Sequence, residues 1–126
     1  MIGYVNVVNK DLGKSITFYD ALLELLALKR VDTTKDYAGY ASKDNPENIE
    51  FYITKPVNGD KANFGNGTQI SFITEHKDVV EKFHKLGVEL GGKSEGAPGE
   101  RPEGSKLYNS YVRDLYWNKI CVFTNI

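Results

Sequence analysis

Cys121 is the only cysteine of the chain, and Lys119 stands two residues before it, on the same side of any strand that carries both. A thiol attacks or ligates as the thiolate, which a neighbouring base or positive charge favours. His76 and His84 lie far upstream, and their spacing of eight residues does not match the four-residue HExxH metal pattern. With no cysteine–histidine pair in view, the residues favour Cys121 as a small buried hydrophobe over Cys121 as a nucleophile. Arg101, within GERP, carries a planar fork that suits carboxylate or phosphate; the competing reading is a solvated loop residue. Tyrosine is the most abundant aromatic residue, with eight copies. Glu50 and Tyr52 fall two apart and share a strand face. Tyr108 and Tyr111 are an odd number of residues apart, so only one of them can look toward a given side of a strand.

These side chains need a frame, and the hydrophobic pattern supplies one. Ile2 to Val8 alternates as a β-branched strand. From Asp11, a residue suited to N-capping, Leu12, Ile16, Tyr19, Leu23 and Leu26 recur at helical spacing, with Gly13 a weak point in the first turn. Three short runs around Lys29 to Val31, Tyr37 to Ala41 and Ile49 to Ile53 predict strands. After the flexible-looking link NGDKANFGNG, the order begins again: a strand over Thr68 to Thr74, then a helix through Val79, Val80, Phe83 and Leu86 that Gly87 is expected to cap. A weak strand around Lys93, the loop-like segment GGKSEGAPGERPEG, and strands over Leu107 to Val112 and Lys119 to Thr124 complete it. A shared order of elements at a period of about 60 residues points to a duplicated supersecondary unit.

Composition narrows the partners. The chain has 126 residues, 16 basic and 17 acidic side chains, and 40% hydrophobic residues, which fits one globular domain. Balanced charge makes no electrostatic case for nucleic acid or an anionic membrane. No apolar run reaches membrane-spanning length, MIGYVNVV does not read as a signal peptide, and a lone thiol suits a reducing compartment, so a cytoplasmic protein is expected.

The sequence GAPGERP at Gly96 to Pro102, followed by LYNSYVRD at Leu107 to Asp114 and NKI at Asn118 to Ile120, resembles the vicinal oxygen chelate superfamily. That group includes glyoxalases, extradiol dioxygenases, fosfomycin-modifying enzymes and bleomycin-binding proteins. The opening strand and DLGKSITFYDALL match the group's first helix, and the likeness covers nearly the whole chain. It implies an α+β fold in a single domain spanning residues 1–126: two βαβββ modules, about 1–58 and 66–126, forming a curved mixed sheet around an open cavity with helices outside.

The resemblance also implies metal ligands on the first and last strands of each module. Tyr4 and Gln69 stand where the family often has histidine, and Cys121 stands where NKIE ends in glutamate, with Glu50 or Tyr52 at the matching place in the first module. A mostly protonated tyrosine and a neutral amide supply too little charge for a divalent cation, so the resemblance implies a degenerate metal site and no cofactor. What remains is a cavity with aromatic walls and neutral polar tips, lined by Tyr4, Tyr52, Gln69, Arg101, Cys121 and one of Tyr108 and Tyr111. The expected activity is binding or sequestration of a small organic ligand by a homodimer. One alternative is a metal-dependent lyase, transferase or dioxygenase, such as a lactoylglutathione lyase-like enzyme. A further one is metal-independent catalysis with Tyr4 or Glu50 as acid or base. In DLYWNKIC, Leu115, Tyr116 and Trp117 replace turn residues of the family's DPDGN, which predicts a reshaped loop with Trp117 over the sheet or at a partner surface.

Overall fold

The computed structural model describes residues 1–126, which divide into two compact units, Met1–Phe64 and Gly65–Ile126. Each unit is a βαβββ module, and the fold is α+β.

In the first unit, β1 (Val5–Val8) leads into α1 (Leu12–Glu24), followed by β2 (Leu28–Thr33), β3 (Tyr37–Ser42) and β4 (Ile49–Thr54). The sheet order is β1-β4-β3-β2, with β1 parallel to β4 and the other pairs antiparallel. Asp11 caps α1 as its sequence suggests, its Oδ1 accepting from the Lys14 amide at 3.1 Å. Alternation then sorts the sheet into two faces. Val7, Ala38, Tyr40, Phe51 and Ile53 are buried, as are Phe18, Tyr19, Leu22 and Leu23 of α1, and Tyr19 meets Phe51 at 5.1 Å between ring centres. The Tyr40 hydroxyl, carried into this core, donates to Asp20 Oδ1 at 2.8 Å, and Arg30 grips the same carboxylate through Nε and Nη2, both at 3.1 Å. Tyr4, Asn6, Tyr37, Tyr52 and Thr54 are left on the other face.

The second unit repeats the plan with β5 (Gln69–Ile73), α2 (Lys77–Glu89), β6 (Lys93–Glu100), β7 (Leu107–Arg113) and β8 (Lys119–Asn125), in the order β5-β8-β7-β6. Val80 and Phe83 of α2 are buried, as are Val112, Ile120 and Val122 of its sheet, and Ser110 Oγ donates to the Val80 carbonyl at 3.2 Å.

Two local expectations change. Gly87 does not end its helix, which runs on to Glu89. A Cβ there would stand 3.0 Å from Val112 Cγ1, so the glycine serves close approach of helix and sheet. The glycine and proline-rich GAPGE is not a loop but the second half of β6. It pairs with β7 through two register shifts, which absorb residues that do not fit a regular ladder. The β7–β8 turn, where the sequence has no glycine, adopts a backbone of the kind glycine favours. Trp117 adopts φ +72°, and the buried Asp114 carboxylate holds the turn by accepting from the Tyr116 amide (2.8 Å), the Asn118 amide (3.0 Å) and Asn118 Nδ2 (2.7 Å). Side-chain hydrogen bonds thus impose the left-handed geometry that the local sequence does not favour.

Candidate ligand site

The open face of the first sheet carries a groove of about 270 Å³ lined by Tyr4, Asn6, Tyr37, Tyr52, Thr54 and Val57. Parallel pairing of β1 with β4 sets Asn6 beside Tyr52, and antiparallel pairing of β3 with β4 sets Tyr37 beside Thr54. Tyr52 is the central ring. It meets Tyr4 at 5.2 Å and Tyr37 at 5.6 Å between centres, both at 74°, the edge-on geometry that the ring quadrupole favours. Room for this ring comes from Gly39, where a Cβ would stand 3.0 Å from both Tyr52 Cε1 and Ile49 Cδ1. The Tyr37 hydroxyl donates to Asp32 Oδ2 at 3.0 Å, a bond that raises its pKa and keeps it protonated. Tyr4 remains 60% exposed, so a molecule in the groove has a free ring edge to contact.

Glu50 does not line this groove. The β3–β4 ladder shifts register between the Tyr40–Phe51 and Ala41–Ile49 pairs, which leaves Glu50 as the extra, exposed residue of a bulge. Ile49 takes the place beside Tyr52 that strict alternation assigns to Glu50. Asn6, Thr54, Tyr37 and Val57 are the lining residues that sequence reasoning missed. Alternation from Tyr4 and from Tyr52 reaches Asn6 and Thr54; Tyr37 needs the strand register, and Val57, beyond the end of β4, has no sequence signal.

The open face of the second sheet carries the other group. Ser71 and Tyr111 both stand opposite Cys121 in the ladder, and Gln69 Nε2 donates to Ser71 Oγ at 2.9 Å. Burial pushes the Cys121 thiol up, outweighing the opposing influence of Ser71, Tyr111 and the positive charges of Lys119 and Arg101, so the neutral thiol is favoured. Arg101 Nη1 donates to the Asn109 carbonyl at 3.2 Å and to Asn109 Oδ1 at 3.3 Å; its guanidinium lies 5.9 Å from the Tyr111 ring centre. Tyr111 is therefore the tyrosine of this strand that joins Cys121. Tyr108 turns toward the helix, where its hydroxyl donates to Glu81 at 3.0 Å and Lys77 Nζ lies 4.5 Å above its ring.

The donors at the family's ligand positions do not fit a divalent metal. The first unit offers Tyr4 there; the second offers Gln69, engaged with Ser71, and the protonated Cys121. Nowhere do three histidine, cysteine or acidic side chains converge to hold a metal ion. His84 Nε2 is 2.7 Å from Ser94 Oγ, and His76 is the N-cap residue of α2.

Residues 1–122 match the Glyoxalase/Bleomycin resistance protein/Dioxygenase superfamily. The chain belongs to that superfamily. It is 36% identical to a glyoxalase/bleomycin resistance protein from Albidiferax ferrireducens T118, with a TM-score of 0.86 and 98% of each chain covered. A glyoxalase/bleomycin resistance protein/dioxygenase family enzyme from Burkholderia phytofirmans PsJN shares the fold at 14% identity, with a TM-score of 0.73 over 99% of this chain and 98% of that one. Lactoylglutathione lyase from Agrobacterium tumefaciens shares it at 17% identity, with a TM-score of 0.67 over 98% and 92%. A comparison with curated proteins returns no match.

Proposed function

We propose that this member of the superfamily binds a small, partly aromatic organic molecule in the tyrosine groove and performs no metal-assisted chemistry. The observation that carries the reading is the edge-on cluster of Tyr4, Tyr52 and Tyr37 along one side of an open groove. Its other lining groups are the Asn6 amide, the Thr54 hydroxyl and the Val57 side chain. Aromatic walls with a few neutral polar groups recognise shape and hydrogen bonding rather than charge. The volume falls just below the roughly 300 Å³ at which ordinary ligand pockets begin, which suits a molecule of one ring with short substituents. The proposal includes a cytoplasmic homodimer, an element that rests on the family resemblance and on composition.

Calorimetric titration with phenol, benzamide and indole tests it. Wild-type protein is expected to bind at least one of these saturably, and Tyr52→Ala to weaken that binding by tenfold or more, about 1.4 kcal/mol. Absence of saturable binding by all three, or equal binding by Tyr52→Ala, overturns the proposal.

A further inference from the structure

The open face of the second sheet carries more positive charge than it neutralises. Four cations stand there: Arg101, Arg113, Lys119 and Lys93, the last opposite Arg113 in the β6–β7 ladder with its Nζ 5.4 Å from the centre of the Trp117 ring. Arg113 is matched, its Nε 2.9 Å from Glu95 Oε1. Lys119 stands directly opposite Arg113 in the β7–β8 ladder, an arrangement of like charges that costs stability, and it forms no ion pair of its own. Its Nζ instead lies 5.0 Å from the centre of the Tyr111 ring. Arg101 approaches the same ring and likewise meets no carboxylate.

Arg101 is held in place rather than left to wander. Asn109, itself buried, accepts from Nη1 through both its carbonyl and its Oδ1, and returns a bond from Nδ2 to the Arg101 carbonyl at 2.9 Å. The strand beneath leaves room for the Tyr111 ring, with the guanidinium packed alongside. A Cβ at Gly96 would stand 3.4 Å from Arg101 Cζ and 2.9 Å from Tyr111 Cδ2, and a Cβ at Gly99 would stand 3.7 Å from Nη1. These contacts commit Nη1 and leave the Nε and Nη2 hydrogens for another acceptor. A fixed guanidinium with a free edge recognises an oxyanion through charge-assisted hydrogen bonds, and a second unmatched cation on the same ring adds to the positive potential that draws one in.

We infer that Arg101, with Lys119 on the same Tyr111 ring reinforcing its positive field, forms a subsite for the oxyanion group of a small molecule, a phosphate or a carboxylate. Ser71 and Gln69 add neutral hydrogen-bonding groups on the same face. The inference rests on residues of the second unit alone and stands or falls apart from the tyrosine groove.

Amide-resolved NMR titration of the full chain with inorganic phosphate, and separately with acetate, tests it at constant ionic strength set with chloride. Saturable shifts centred on Gly96, Asn109, Tyr111 and Lys119 are expected with at least one probe. Arg101→Gln and Lys119→Gln should each weaken that binding about tenfold, with Arg101→Lys between wild type and Arg101→Gln. Saturation by phosphate alone assigns a tetrahedral oxyanion, and by acetate alone a carboxylate. Tyr52→Ala should leave both titrations unchanged, because neither probe carries a ring. If Arg101→Gln fails to fold, Lys119→Gln still decides the outcome. Linear shifts without saturation, or equal affinity in Lys119→Gln, overturn the inference.

Discussion

Burial beside β6, followed by the positive charge of Arg101, lowers the pKa of His84 from its ordinary value of 6.5. The folded protein therefore resists the proton that the unfolded chain accepts. Stability is fully present above about pH 6.5 and falls as the pH drops through the window between that value and the lower folded one, because the unfolded state there binds more protons. Urea unfolding from pH 7.5 to pH 5 should show a larger loss of stability for wild type than for His84→Gln; equal losses would refute the assignment. Tyr108 and Tyr111 make a related point about single residues. Alternation states that they part company, and their partners state which goes where: Glu81 and Lys77 claim Tyr108 for the helix side, while Gly96 opens the far side to Tyr111.

Among the elements, the β7–β8 turn sets local preference against observed conformation. An L-residue in the left-handed region costs roughly 1–2 kcal/mol, and Trp117 bears that cost while 47% exposed as a residue, with Lys93 Nζ 5.4 Å from its ring centre. Comparing Trp117→Gly with Trp117→Ala isolates the backbone term, since both variants lose the ring. The glycine variant should be more stable by about 1 kcal/mol in urea denaturation, less any extra entropy of its unfolded chain. An alanine variant of equal or greater stability would mean that the turn does not hold this geometry. Strand register shows the same tension. Period two carries Tyr52 and Thr54 to the groove, but the bulge in β4 removes Glu50 and seats Ile49, because pairing with β3 outranks alternation where the ladder shifts.

At the scale of the whole molecule, the donor chemistry predicts indifference to divalent metals. Elemental analysis of protein purified without chelator should find less than one tightly held ion per chain. EDTA, zinc and nickel should each leave the thermal midpoint unmoved, since a ligand that prefers the folded state must raise it. A stoichiometric metal removed by Gln69→Ala would overturn this. The amino-acid order by itself determined the repeated order of elements and the capped first helix, since periodicity and capping act over a few residues and leave their mark in the string, while GAPGERP, LYNSYVRD and NKI carried the family resemblance. It also marked Tyr4, Tyr52, Arg101 and Cys121 as residues to watch. Tertiary structure alone decided that Gly87 lies within its helix, that GAPGE is strand, that Tyr37 completes the groove and that Arg101 and Lys119 share one ring. Those outcomes depend on which strand lies beside which, and in what register, and pairing between distant segments leaves no periodic trace in either one.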